Sequence, residues 1–388
     1  MVLFDDIKIA YTDKSDKDLS RAYFLFRIIS QPFITKILTS FLRIAIWFHL
    51  PIKGIIKATI YKQFCGGTSI EGSQETIDNL WKSRIGTILN FSAEGKETKD
   101  DFISTKQEII RTIKKASQSE KIPFSVFKPT GITAFSLLEK LSKNQSLDEQ
   151  DQEEKQEFRN RINEICKTAF ELKVPLFIDA EESWIQTAID EIVRDMMQKF
   201  NREKAWIFNT IQLYRNDRIA YLKEILMDAE NNNYFVGLKL VRGAYHEQEI
   251  ERANRLTYLC PVHRKKEDTD KDFNLAQKFC IENLDRISFC SATHNQESTI
   301  YLTELIHQHN IDKNDERIIF SQLLGMSDHI SYNLAKHGYY VTKYVPYGPV
   351  KDVIPYLIRR AEENSSITGQ MNRELSNIIK EKKRRKHI

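Results

Sequence analysis

The chain has 388 residues, of which 41% are hydrophobic and 29% charged, and its formal net charge is +4. This length suffices for one large globular domain with an appendage, and so small a charge without aromatic-basic interleaving argues against a nucleic-acid partner. The five cysteines lack CxxC and CxxH spacing, so the sequence indicates neither a disulfide framework nor a zinc site. Cys65, in QFCGG, is not assigned a role beyond that of a structural thiol.

Residues 1–80 are predicted to form an N-terminal helical segment. The opening residues are polar and acidic, unlike a secretory signal or a transit peptide, so we expect a cytoplasmic location. From Leu19 to Lys62 the apolar sequence is divided by Pro32, by Pro51 and by several cations, and no run reaches the roughly 20 residues that span a bilayer. We expect two or three amphipathic helices, which pack on the main domain or contact an anionic membrane surface.

Residues 81–370 alternate between short β-branched or aromatic runs and stretches with helical patterning. The predicted strands are 86–92, 123–128, 174–179, 205–212, 235–241, 286–293, 317–322 and 339–345. Eight strand–helix units over roughly 250 residues predict an α/β fold, a parallel (β/α)8 TIM-type barrel rather than an open doubly wound sheet. The acidic residues 144–157 are expected in an exposed connection or on a charged helix surface. Residues 371–388 are expected to form a basic C-terminal tail. Its last part, Lys380 to Ile388, is expected to be frayed and disordered in solvent, with anionic lipid as an alternative partner.

Active-site residues of such barrels follow the carboxyl ends of the strands. Six of the eight predicted ends carry polar or charged groups: Lys128, Asp179 to Glu182, Gln212, Lys239 with Arg242, Thr293 to Asn295, and Tyr344. Several cations around one mouth are costly to bury unless an anion binds there, so the pattern predicts an anionic ligand or cofactor. No GxGxxG or Walker A sequence is present, and His294 lacks a second ligand at metal spacing, so a hydrogen-bonding role is favoured over a metal site.

The stretch 356–364 reads YLIRRAEEN. On a helix, Tyr356, Arg359, Arg360 and Glu363 share one face, and two adjacent guanidinium groups can bind a small carboxylate bidentately. Taken alone, this pattern is more typical of a solvated face. The polar strand ends favour a clamp, and an Asp352 cap followed by Pro355 is expected to start the helix.

Six ordered segments carry a resemblance to a known family. They are FIDAEESW (177–184), FNTIQLY (208–214), LKLVRGAYHEQE (238–249), ATHN (292–295), QLLGMSD (322–328) and KYVPYGPVKDVIPYLIRRAEENSS (343–366). Together they resemble the proline dehydrogenase family of FAD-dependent barrel enzymes, in a monofunctional form without a fused aldehyde dehydrogenase domain. The resemblance implies oxidation of L-proline to Δ1-pyrroline-5-carboxylate, the first step of proline catabolism, with hydride passing to flavin N5 and electrons to a quinone.

The resemblance also assigns roles to individual residues. Arg359, Arg360 and Lys128 would bind the proline carboxylate, Tyr344, Tyr356 and Leu323 would enclose the ring, and Asp179 would hold the cationic network. Lys239 would stand near flavin N5, where relatives often carry Arg. The implied FAD contacts are Ala180, Gln212, Lys239, Arg242, Gly243, Ala244, Lys266, Thr293, His294, Asn295 and Glu363.

The implied electron acceptor is a quinone in the membrane. We therefore expect the basic N-terminal segment and the basic tail to contact the inner face of a membrane. Pyrroline-5-carboxylate dehydrogenase is the implied downstream partner. Three alternatives remain open: hydroxyproline oxidation, which a Tyr at position 344 disfavours because Ser marks that preference in the family; a Schiff-base aldolase using Lys239 or Lys128; and a non-catalytic barrel that binds an acidic metabolite.

Overall fold

Eight parallel strands form a closed barrel in sequential order in the computed structural model, which describes residues 4–47, 53–92, 97–366 and 368–386. The strands are β1 (Gly86–Phe91), β2 (Phe124–Phe127), β3 (Leu176–Ile178), β4 (Ile207–Gln212), β5 (Val236–Val241), β6 (Ile287–Ala292), β7 (Ile318–Leu323) and β8 (Val341–Tyr347). The predicted TIM-type barrel is confirmed, and each predicted strand lies within two residues of the observed bounds.

Helices precede the barrel and follow each strand. Before β1 lie α1 (Ile7–Ala10), α2 (Asp16–Ile29), α3 (Pro32–Trp47), α4 (Lys53–Ile56), a π-helical turn (Lys57–Tyr61), α5 (Lys62–Phe64), a 3-10 turn (Glu71–Ser73) and α6 (Gln74–Lys82). The remaining helices are α7 (Lys99–Ser117), α8 (Phe135–Ser142), α9 (Glu149–Glu171), α10 (Ser183–Phe200), α11 (Arg218–Asn232), α12 (His246–Leu256), α13 (Lys266–Glu282), α14 (Gln296–Gln308), α15 (Asp328–Lys336), α16 (Val350–Ser366) and α17 (Thr368–Lys386). The acidic segment 144–157 contains the start of α9, where Asp148 accepts a hydrogen bond from the Asp151 N–H at 2.8 Å.

The chain divides into two compact units. One comprises Lys96–Thr293 and Glu297–Ser321, and it contains β2 to β6 and most of β7. The other comprises Val2–Gly95, His294–Gln296 and Gln322–Ile388, and it contains β1, β8, the N-terminal helices and α15 to α17. The predicted domain boundaries at residues 80 and 370 stay predictions.

Aromatic rings fill the barrel core of the first unit. Phe124 stacks on Phe177 with ring centroids 4.7 Å apart, and Phe208 meets Phe177 edge-on at 5.2 Å. Asn201, which is fully buried, accepts from the Trp206 and Ile207 N–H groups, both at 2.9 Å, before β4. Packing and saturated backbone groups therefore hold the amino-terminal ends of these strands, and the polar side chains of the site lie at the other ends.

In the second unit, α2 and residues 56–65 pack on α16 in one apolar cluster. Tyr61 secures this packing, because its hydroxyl contacts the carbonyls of Gly67 at 2.6 Å and Gly348 at 2.8 Å. Gly348 lies just before α16, so the N-terminal segment holds the start of that helix.

The basic residues up to Lys386 form the end of α17, so the expectation of a disordered tail is wrong for them, and residues 387–388 lie outside the described part of the chain. Glu381, which is fully buried, accepts from Arg384 at 2.7 Å and from Arg385 at 2.8 Å. Arg385 also donates to the carbonyls of Tyr11 and Lys14. These bonds anchor cations that the composition alone assigned to solvent. Among the described residues, no helix combines the length and apolarity that crossing a membrane requires.

Candidate active site

A buried ion pair joins the ends of two strands in the first unit. Asp179 follows β3, Lys239 lies in β5, and the Lys239 ammonium donates to the Asp179 carboxylate. Their side chains are only 11% and 6% exposed. Either charge alone would be costly at this depth, so each requires the other. The sequence analysis placed Asp179 in a cationic network, and Lys239 is a cation that its carboxylate binds.

Arg242, just after β5, is engaged on three of its nitrogens. It donates to Asp270 at 2.7 Å, to the Thr293 hydroxyl at 2.5 Å and to the Ser298 hydroxyl at 2.9 Å. Lys266 donates to the same Asp270 carboxylate. Burial lowers the pKa of Arg242 from its usual value, against the opposing charge of Asp270. The first unit thus holds two cations on one carboxylate, in the segment that the family resemblance assigns to FAD.

Glu181, which the sequence analysis placed among the polar strand ends without a role of its own, connects two of the predicted site segments. Its carboxylate accepts from the Thr130 N–H at 2.9 Å and from the Thr130 hydroxyl at 2.6 Å, and Thr130 belongs to the turn that follows Lys128. Its main-chain carbonyl accepts from Gln212 Nε2 at 2.7 Å. Burial raises the pKa of Glu181 to about 7, while the Lys128 charge opposes that rise.

The other polar side-chain atom of Gln212 is buried without a partner. Its Oε1 has no hydrogen bond to any described residue, although Nε2 is fixed by Glu181. A buried carbonyl oxygen in this state costs free energy unless a ligand supplies a donor. Gln212 is therefore an acceptor available to a bound group.

Gly243 is required by its backbone conformation and its surroundings. Its φ is +130°, and a Cβ built there would lie 2.5 Å from the ring of Tyr214. Tyr214 is held in turn, since its N–H donates to the Arg242 carbonyl at 2.7 Å. Only glycine fits, which lets the chain turn sharply after β5 and leaves Ala244 exposed.

In the second unit, α16 carries the predicted carboxylate clamp. Tyr356 is buried, Arg359 and Arg360 are half-buried, and the Arg360 guanidinium lies 5.6 Å from the centre of the Tyr356 ring. The side chain of Glu363 lies outside the described part of the chain. The two arginines are therefore neither fully exposed to solvent nor fully buried in the core.

The predicted start of this helix is wrong. The helix begins at Val350, and the Val353 N–H already donates to the Pro349 carbonyl at 3.2 Å. Asp352 therefore lies within the first turn rather than at the cap, and Pro355 lies inside the helix. The turn at Gly348 and Pro349 begins the helix earlier than the sequence pattern indicated.

The remaining predicted residues of this unit lie on β7, on β8 and after β6. Tyr344 is in register with Ile88 of β1, and its carbonyl accepts from the Leu324 N–H at 2.9 Å, next to Leu323 at the end of β7. His294 Nδ1 lies 2.9 Å from the Ser327 hydroxyl, so this ring makes the hydrogen bond that the sequence favoured. Asn295, which follows it, is half-buried.

A buried cation next to Tyr344 was missed. Lys343 is fully buried and donates to Asp328 at 2.8 Å and to the Met326 carbonyl at 2.5 Å, so it fixes the segment after β7. Lys14 lies 3.3 Å from the same carboxylate. Desolvation would raise the pKa of Asp328, but the two lysines outweigh it and lower that pKa to about 2. Strand alternation carried the signal, because a lysine whose side chain points opposite to that of Tyr344 faces the helices and needs an acid.

The chain is similar to known proteins of one family. The family model for proline dehydrogenase matches residues 73–373. "Proline dehydrogenase 1, mitochondrial" of Dictyostelium discoideum is 33% identical over 98% of this chain and 74% of its own length. "Hydroxyproline dehydrogenase" of Xenopus laevis is 34% identical over 58% of this chain and 49% of its own. The chain belongs to the proline dehydrogenase family, and it is an oxidoreductase of that family.

A solved structure of proline utilization A (PutA) from Bdellovibrio bacteriovorus, inactivated by N-propargylglycine, has the same fold. Its TM-score is 0.72 at 18% identity, and the match covers 92% of this chain and 38% of that chain. The chain thus spans well under half of the PutA polypeptide, and the likeness supports the barrel architecture.

Proposed function

We propose that this protein oxidises L-proline to Δ1-pyrroline-5-carboxylate with FAD as its cofactor. The observation that carries the proposal is the pair of largely buried cations on β5 and just after it, Lys239 and Arg242, in a barrel of the proline dehydrogenase family. Such charges favour an anionic cofactor at the carboxyl ends of the strands.

The residues of the first unit fit FAD. Arg242 and Lys266 would hold its phosphates, and the orphaned Gln212 oxygen would accept from a donor on its ring system. Gly243, which has no room for a Cβ beside Tyr214, would let the backbone approach the ligand. When bound, FAD supplies the two-electron acceptor of the oxidation.

The chain's own residues bind and orient proline. Arg359 and Arg360, with Lys128, would pair with the carboxylate, because guanidinium groups stay charged and bind it bidentately. Tyr344, Tyr356 and Leu323 would set the plane of the ring. The cations also favour the neutral amine over the ammonium, which the loss of hydride from the adjacent carbon requires. No side chain has to act as a nucleophile.

The proposed electron acceptor is a quinone, reached through peripheral contact with a membrane. The product would pass to a dehydrogenase that acts on pyrroline-5-carboxylate. Both proposals rest on the family resemblance, and the membrane contact gains support from the surface described in the next subsection.

Reduction of the bound flavin by L-proline tests the proposed oxidation. Purified protein should show a flavin spectrum that bleaches when L-proline is added, and a colourless protein would contradict the proposal. Arg359→Met should raise the KM for proline roughly tenfold or more with FAD retained, since it removes a charged partner of the carboxylate. Arg255→Met, on the exposed face of α12, is the matched control. An unchanged KM in the Arg359 variant would remove the clamp assignment.

Hydroxyproline oxidation is the second candidate, because the Xenopus relative is 34% identical over 58% of this chain, compared with 33% over 98% for the Dictyostelium proline dehydrogenase. Tyr344 favours proline, since its hydroxyl would crowd the distal carbon of the ring. The kcat/KM ratio for the two substrates decides between them. The aldolase alternative loses support at Lys239, because this residue is paired with Asp179 and a Schiff base needs a free amine.

A further inference from the structure

Helix α3 is turned with its polar side inward. Its buried side chains include Thr35 and Thr39, which are 3% and 6% exposed. Among residues 33–41, whose side chains the structure describes, the large apolar ones face solvent: Phe33 at 77%, Ile34 at 43%, Ile37 at 52%, Leu38 at 45% and Phe41 at 58%. A helix on the surface of a globular domain packs the opposite way, with its apolar stripe toward the core.

The inward side is fixed by hydrogen bonds. The Thr35 hydroxyl lies 3.3 Å from the Ile29 carbonyl and 3.4 Å from the Ile28 carbonyl, at the end of α2. The Thr39 hydroxyl donates to the Lys36 carbonyl at 3.2 Å. These bonds satisfy the buried hydroxyls, so turning the helix over would both expose them and break the junction with α2.

The outward side is one continuous face. At 100° per residue, the five exposed apolar positions fall within about 140° of arc, and Thr35 and Thr39 fall opposite. Phe24 of α2, at 61% exposure, and Ile55 of α4, at 69%, add to the exposed apolar surface of the N-terminal segment. A clustered apolar face of this kind marks an interaction surface rather than scattered exposed residues.

The charged residues of this segment indicate what kind of partner the apolar face binds. Residues 19–70 contain no Asp or Glu and seven cations: Arg21, Arg27, Lys36, Arg43, Lys53, Lys57 and Lys62. Lys36, Lys57 and Lys62 are exposed. An apolar face in a segment whose only charged side chains are cations suits an anionic lipid surface. A second copy of the chain would bring like charges together, which disfavours self-association through this face.

We propose that α3 is a membrane-docking helix, which lies in the plane of an anionic bilayer with Phe33, Ile37 and Phe41 inserted among the acyl chains. The helix also packs against α16 within the same unit, so docking would place lipid beside the helix that carries Arg359 and Arg360. This inference rests on the proposed function in one respect: the benefit of docking would be access to a lipid-soluble electron acceptor. The binding of α3 to lipid does not depend on that function.

Vesicle flotation of the full-length holoenzyme tests the proposal. The probes are vesicles of phosphatidylcholine with phosphatidylglycerol and vesicles of phosphatidylcholine alone. We expect flotation with the anionic vesicles that weakens in high salt. The triple variant Phe33→Ser, Ile37→Ser, Phe41→Ser should lose at least roughly tenfold in partition coefficient, because it removes the inserted apolar area.

A matched control removes three apolar residues of similar exposure from other helices, as Ile103→Ser, Met227→Ser, Leu275→Ser. This variant should float like the unmodified protein. Equal flotation of the α3 variant and the unmodified protein would overturn the proposal, as would failure of the unmodified protein to float. A vesicle-free dimer that the α3 variant dissociates would overturn it in favour of a second copy.

Proline oxidation with a water-soluble dye as acceptor separates this inference from the proposed function. The α3 variant should keep that activity while losing flotation. A protein that floats through α3 but does not oxidise proline would refute the proposed function and leave the docking helix intact.

Discussion

Replacing Glu181 by glutamine isolates the effect of one buried charge. The substituted amide would keep both contacts with Thr130, because its Oε1 accepts from the N–H and its Nε2 donates to the hydroxyl oxygen. The turn after Lys128 should therefore keep its position. What changes is that the side chain can no longer ionise.

The size of the effect follows from the pKa of Glu181, which burial raises from 4.5 to about 7. In the unfolded chain the carboxyl ionises above its ordinary pKa, whereas in the folded protein it stays protonated until the higher value. Folding is therefore weakened as pH rises from 4.5 to 7, and that penalty persists above pH 7. At about 1.36 kcal/mol per pKa unit, the change between about pH 5 and pH 8 is about 2–3 kcal/mol.

The assay is equilibrium urea unfolding of both proteins across this pH range. The unfolding free energy of Glu181→Gln, relative to the unmodified protein, should rise by about 2–3 kcal/mol from the acidic to the alkaline end. Glu203→Gln, on an exposed loop, is the control for the chemistry of the change. A difference that stays flat with pH would refute the reasoning, because it would show that Glu181 titrates in the folded protein as it does in the unfolded chain.

Two further predictions concern other constrained residues. Asp328→Asn should lower the unfolding free energy by about 3–5 kcal/mol at neutral pH, because it leaves the Lys343 charge buried without its anion, and pairing it with Lys343→Met should restore part of the loss. A denaturant titration of the single and double variants checks this, and equal losses in both would contradict it. Gly243→Ala should lower the melting temperature more than Gly338→Ala does, since both need positive φ but only Gly243 has a ring at 2.5 Å. Similar shifts in thermal melts would show that contact with Tyr214 adds no cost.

The barrel could be predicted from the sequence because each strand has a recognisable local pattern of residues. A strand covered on both sides reads as a short apolar run, and eight such runs separated by helical patterns admit few folds. The carboxyl ends of the strands could also be predicted, because the polar residues Lys128, Asp179 and Arg242 interrupt apolar runs. The pattern suggested that Arg359 and Arg360 bind a small carboxylate, and the family resemblance identified that carboxylate as proline.

What sequence reasoning missed depends on contacts between distant segments. Glu181 was one of several polar residues at a strand end, and only its bonds to Thr130 distinguish it from Glu182. The amphipathic pattern of α3 predicted a helix but not its orientation, because periodicity does not say whether a core, a membrane or a partner covers the apolar face. Which side is buried was decided by Thr35 and its bonds to the end of α2.

Helix α16 shows how much of the candidate site depends on residues before the segment matched by the family model. Its buried residues Val353 and Leu357 belong to one cluster with Phe26 and Phe64, and both phenylalanines precede residue 73. Tyr61 bonds to the carbonyl of Gly348, just before the helix begins. Removing the N-terminal segment would expose this apolar side of α16 and release its first turn, so the arginines would lose the support that orients them. The N-terminal segment therefore supports the candidate site by packing against α16, while the apolar face of its helix α3 is exposed to solvent.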